Sequence, residues 1–325
     1  MQLHRQVLAL LPLALAALAS PAAAQYPAKP ITVVVPFAAG GPTDVVARLV
    51  GERMSRTLGQ QLVIENVAGA GGTTGMSRVA AATPNGYLIG IGNNGIFSAA
   101  PAFYPDLKYD PLASFEQIGI ISYTPQAIVA KNATAATNLS EFIVHLEANH
   151  EKLSYGHAGI GSTSHVAGLV FNGRLGLKPA QVPYRGTGPA LTDLISGQLD
   201  YIIDQSLNVI PQVKAGTIKI YGVASKMRLE SLPDVPTTAE GGTDFLYSAT
   251  NVMVAPKGTP AEVTARLLDA LGLALDEPAM QARFVEMGSM VPAPAERGAA
   301  PFRRMIEDEL TSILPMLKAV GITGN

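Results

Sequence analysis

Three hydroxyls in a row behind two glycines, Gly159-Ile-Gly-Ser-Thr-Ser164, are the side chains of this sequence best arranged to do chemistry. Glycine lets a backbone approach a bound group closely. A helix beginning near residue 164 would leave its first N–H groups unpartnered and aim its positive dipole end at the same spot. One hydroxyl is enough to cap such a helix. Three point to a ligand, and an anionic one, so Gly159, Gly161, Ser162, Thr163 and Ser164 are candidate binding residues. A second loop of this kind, Phe37-Ala-Ala-Gly-Gly-Pro-Thr-Asp44, also leads from an apolar strand into a helix. Read for function, the loop from Phe37 and Ala38 through Gly41 to Asp44 offers N–H groups to a carboxylate, while the Phe37 ring packs on its carbon chain. Read for structure, it is a plain connection with Asp44 complementing the helix dipole.

Single polar residues at strand ends extend the candidate set, because ligands of open α/β sheets bind beyond the carboxyl ends of the strands. Asn93 and Asn94 offer amides or simply make a turn. Asp204, an isolated acid ending an apolar strand, accepts from a ligand or an ordering water, or caps the next helix. Arg185 and Gly186 follow a strand, and the arginine either meets a carboxylate or is solvated. His157 lines the cleft or serves structure, and His165 packs in the first turn under its loop. Residues 69–75 are glycine-rich but lack the Gly-Lys-Ser/Thr ending of a phosphate loop and read as a surface turn. No G-x-S-x-G occurs, which counts against a hydrolase working through Ser164 and His165. No H-E-x-x-H or cysteine is present, so neither a metal nor a cofactor is expected. No catalytic residue is assigned, and a binding protein is favoured over an enzyme.

Residues 1–24 have the three parts of a secretory signal: basic His4-Arg5, an apolar run, and small residues at Ala22 and Ala24. Without Arg5, 22 basic residues face 25 acidic ones, a net charge near −3, and no basic stripe suggests nucleic acid. About 300 residues then remain, enough for one large or two medium domains.

Strand and helix alternate along the chain: strands near 31–35, 62–65, 87–92, 153–155, 199–204 and 218–224, and helices near 44–58, 140–149, 164–175, 189–196 and 206–214. Thr43 and Ser140 are expected helix caps. This order predicts parallel sheets covered by helices. Two longer β-prone stretches, 117–130 and 245–255, are where the chain would cross between lobes. The lobes expected are 26–122 plus 250–325, and 123–249.

The motifs Val35-Pro-Phe-Ala-Ala-Gly-Gly-Pro-Thr-Asp44, Glu65-Asn-Val-Ala-Gly-Ala-Gly-Gly72, Pro84-Asn-Gly-Tyr87, Val182-Pro-Tyr-Arg-Gly186 and Leu232-Pro-Asp-Val-Pro-Thr237 occur in order. With them the chain resembles the Bug-type extracytoplasmic solute receptors of tripartite tricarboxylate transporters. The resemblance implies a two-lobed α/β periplasmic-binding-protein fold, type II-like, closing on a small carboxylate. It implies a monomer that delivers its ligand to membrane permease subunits. It also implies ligand contacts from backbone amides and waters at Phe37, Ala38, Gly41 and residues 161–164, with Asp204 closing the pocket. His157 stands where the family often has a small residue, and the family's aromatic pair near Thr250 and Asn251 is missing. A sensor role and an exported hydrolase are the alternatives.

Overall fold

The computed structural model describes residues 26–319. The expected signal segment lies outside them. Strand β1 (Ile31–Val35) reads as an unbroken apolar run because both of its faces are covered. Val33 and Val35 pack with Val46, Val50 and Met54 of helix α1 (Pro42–Leu58), while Val34 packs on the opposite face. Gly59, at φ 69°, ends α1 in the left-handed conformation. The expected cap Thr43 lies inside the first turn. Gly41 is the N-cap and Pro42 opens the helix, which needs no N–H there.

The chain continues through β2 (Leu62–Asn66), a short 3₁₀ turn (Ala70–Gly72), α2 (Thr73–Ala80) and β3 (Leu88–Asn93). Beyond a π-type turn (Gly95–Ala99) and α3 (Ala100–Phe103) comes the 17-residue strand β4 (Phe115–Lys131). Then follow α4 (Leu139–Asn149), β5 (Ser154–His157), α5 (Thr163–Arg174), β6 (Ala180–Pro183), α6 (Thr187–Ser196), β7 (Tyr201–Gln205), α7 (Ser206–Lys214) and β8 (Ile218–Val223). Strand β9 (Ser248–Pro256), α8 (Ala261–Asp276), α9 (Pro278–Glu286) and α10 (Ala299–Ala319) complete the described chain. Asn138 caps α4, not the expected Ser140. Its side chain accepts from the Glu141 N–H while the Glu141 carboxylate accepts from the Asn138 side chain and from the Thr137 N–H, a reciprocal cap.

The strands form one curled sheet in the order β2-β1-β3-β9-β4-β7-β5-β6, with β8 also pairing with β4. Only β2-β1-β3 and β7-β5-β6 are parallel. The expectation of parallel sheets holds for these two sets and fails at their junction, where β9 and β4 run antiparallel to each other and to their neighbours. The length of β4 follows from its two tasks. Residues Phe115 to Pro125 pair with β9, and from Gln126 onward the strand pairs with β7 and β8. Register shifts after Gln117 and Ile120 bend the strand between them.

Each half has its own core. Around β5 and β7, Phe142 stacks on Tyr221 at 4.1 Å between ring centres, with Tyr201 edge-on. Phe142→Ala removes this fully buried ring and is expected to lower the unfolding free energy by about 3–5 kcal/mol in a urea titration. A loss under 1 kcal/mol would show that this cluster does not hold the half together.

Candidate functional site

A small cavity lies where the two parallel strand sets face each other. From the β1 side come Phe37, Pro42 and Thr43, with Asn93 from the end of β3. From the other side come Ala158, Ser162, Thr163 and Ser164 beyond β5, and Thr187 at the start of α6. Gln126, Asp204 and Gln205 close it at the strand crossover. Helices α1, α5 and α6 all begin at this wall, so three positive dipole ends converge. Asp204 is the one ionisable side chain in the lining.

Contacts between the two sides are made largely by backbone. The Ala38 N–H donates to the Arg185 carbonyl at 2.9 Å, and the Tyr104 hydroxyl donates to the Ile160 carbonyl at 3.0 Å. The Thr163 hydroxyl donates to Asn93 Oδ1 at 2.9 Å and accepts from the Gly95 N–H at 3.2 Å. Residues 69–75 are part of this seam rather than the surface turn expected. Gly71, at φ 61°, is buried against the Gly159 loop, and a Cβ there would overlap the Ile160 carbonyl oxygen. Glycine is needed for close approach as much as for its φ.

Phe37, Asn93, Ser162, Thr163, Ser164 and Asp204 are thus brought together at the cavity. Ser162 caps α5, accepting from the His165 N–H. Gly159 lies against Gly71, and Gly186 and Gly41 meet the opposite side at Ala38 and Gly188. The Gly161 N–H is taken by His165 Nδ1 at 3.1 Å.

Four expected residues are placed elsewhere. Asp44 turns back on its own loop, accepting from the Gly40 N–H at 3.0 Å, from Arg48 and from Asn66. Burial raises its pKa, but the hydrogen bonds from Arg48, Gly40 and Asn66 outweigh that and hold it below the usual aspartate value. Asn94 is drawn to α10, donating to Glu309 Oε1 at 2.9 Å and accepting from the Thr250 N–H at 3.1 Å. The Arg185 side chain is exposed, and only its carbonyl joins the seam. His157 is 1 % exposed and stacks beside His165 at 4.5 Å, lining an outer pocket with Phe103 and Leu169. Burial keeps both imidazoles neutral, and His165, also beside His157, is pushed down to about 3.

Gln126, Thr187 and Gln205 line the cavity without having been expected there, whereas Thr43 belongs to the first loop whose N–H groups were expected to meet a carboxylate. The amide N and O of Gln126 are buried without protein partners, and the Thr187 hydroxyl lies beside Asp204. The available signal was the polar run Ser122-Tyr-Thr-Pro-Gln126 inside an apolar strand. Asp204 accepts from Asn208 Nδ2 at 2.6 Å. Burial pushes its pKa up to about 6 against that hydrogen bond. The Ser164 hydroxyl accepts from the Ala158 N–H at 2.9 Å, and among the described residues it has no hydrogen bond to a histidine.

A family model described as the tripartite tricarboxylate transporter family receptor matches residues 46–322. A protein of Agrobacterium vitis from the TAR-I ttuE-ttuC' intergenic region is 39% identical over 91% of this chain and 86% of its own. The structure of the periplasmic binding protein BugD superposes with a TM-score of 0.89 at 38% identity, covering 92% of this chain and 99% of BugD. MatC from Rhodopseudomonas palustris, with bound malate, gives 0.86 at 38% identity over 90% of this chain and all of MatC. The fold is accordingly that of the two-lobed α/β periplasmic binding proteins.

Asp44→Ala is expected to melt below the parent protein at pH 7. The Asp44 contribution is present above the ordinary aspartate pKa of about 3.9 and is lost as pH falls through the depressed folded value, so the gap in melting temperature should close in acid. An unchanged gap at pH 2 would mean that the carboxylate charge is not what pins the loop.

Proposed function

This chain belongs to the tripartite tricarboxylate transporter receptor family of periplasmic solute-binding receptors, and from that membership we propose that it captures a small dicarboxylate or related organic acid between two lobes. The observation that carries the reading is the cavity itself. Three helix N-termini and the unpartnered amide of Gln126 face a cavity without a cationic side chain in its lining. MatC, similar in sequence and fold, was solved with malate.

One ligand carboxylate lies against the first N–H groups of α1 and α5, from Thr43 and from Thr163 and Ser164, with Phe37 on its carbon chain. Lobe one is 26–122 plus 250–325 and lobe two 123–249, and they close about β4 and β9 on the ligand. The Ala38–Arg185 and Thr163–Asn93 bonds latch the closed form. Export by the N-terminal signal places the protein in the periplasm, where as a monomer it hands the ligand to permease subunits of a tripartite transporter. A receptor needs no catalytic residue, and the Ser164 hydroxyl, spent on the Ala158 N–H, is not set up as a nucleophile.

Mature protein is to be titrated with mono-, di- and tricarboxylates by thermal shift and calorimetry. A ligand at a hundredfold excess over its Kd adds about 2.7 kcal/mol of stability, and it should be recovered unchanged. No shift across the panel overturns the reading. Thr163→Val removes a donor and an acceptor from the latch and is expected to weaken binding about tenfold, mainly through faster release. Unaltered affinity would remove Thr163 from the closing mechanism.

A further inference from the structure

Resting on the carboxylate reading above, we infer that Asp204 is a proton-accepting specificity residue: the closed receptor takes up one proton with its anionic ligand and holds it on Asp204, which then donates a hydrogen bond to the ligand.

The argument is geometric. Asp204 ends β7 inside the cavity, is 2 % exposed, and is the only ionisable group of the lining. No cation reaches it from any element packed around it. On β4 the lysine is Lys131, at the far end of the strand and paired with Asp200 at 2.6 Å. On β8 it is Lys219, whose Nζ donates to the Thr134 carbonyl. On α7 it is Lys214, in the last turn. On β5 the titratable neighbours are Tyr155, whose hydroxyl donates to the Ser164 carbonyl, and the neutral His157. On α6 Asp193 is committed to the Tyr184 hydroxyl at 2.7 Å.

A carboxylate ligand and an ionised Asp204 would therefore share one small cavity with only neutral amide and hydroxyl donors between them. Like charges at that range in a dry site cannot both persist. The proton settles on the protein acid, because the helix N-termini favour charge on the ligand. Burial already moves Asp204 towards this state in the closed form, up to about 6. A neutral Asp204 donates to an acceptor oxygen of the ligand and offers nothing to an ammonium group, so it selects organic acids over amino acids.

The test is calorimetric titration of the full mature protein with succinate and with malate at pH 7, in phosphate and in Tris, to count protons taken up. Parent protein is expected to take up close to one proton per ligand, with Kd rising towards tenfold per pH unit between pH 7 and 8. Asp204→Asn, which donates without titrating, should bind within about threefold of the parent at pH 7, with no uptake and a flat profile. Binding without uptake, equal uptake in Asp204→Asn, or tighter binding of aspartate than of succinate overturns this inference and leaves the carboxylate receptor standing. Failure of the parent to bind any carboxylate overturns both.

Discussion

Backbone N–H groups at the start of a helix must find an acceptor, and in this protein three helices bring theirs to one buried wall. Ser162 caps one of them by accepting from the His165 N–H. Gln126 adds further polar atoms without partners, and the one acid in the lining is driven towards neutrality by its burial. In the proposed receptor an anion supplies the acceptor that the remaining groups lack. The receptor's chemistry is thus mostly main-chain chemistry, and the side chains shape and close the space around it.

That economy constrains the seam as well. Two backbones can share a ligand only if they approach each other closely, which is why glycines recur where the halves meet. Gly71 against Ile160 and Gly95 against Thr163 leave no room for a Cβ. The few side chains in the seam serve two partners each. Thr163 bonds both Asn93 and the Gly95 N–H, and Asn66 holds both the Phe37 carbonyl and Asp44. Asp44 and Asn66 thus hold the first loop in place from the side away from the cavity.

Much of this was readable from residue order. The glycine loops, the apolar strands before them and the two long crossing strands follow from local chemistry: backbone chirality, dipole direction and period. Asp204 was visible because an acid at the end of an apolar strand has few places to go. What local order does not encode is the direction of a side chain at a junction. Asp44 folds back on Gly40 because its own loop offers the nearest donor. Asn94 turns to Glu309, 215 residues away in the chain. His157 ends its strand buried beside His165, away from the cavity. Gln126 matters only because β4 changes partners at that residue, and pairing with β7 and β9 is set by register over long separations.

The order of the sheet against the order of the chain has a consequence for biogenesis. Strand β9 is the last strand of the described chain to be synthesised, yet in the sheet it lies between β3 and β4. The buried carboxylate of Glu309, on the last helix, then ties Asn94 and Ser98 in place. A chain made from its N-terminus carries both glycine loops long before it can align them. Its early strands wait with open edges, and contacts of such sequence separation form slowly. The nascent receptor is therefore most in need of protection from aggregation during that interval.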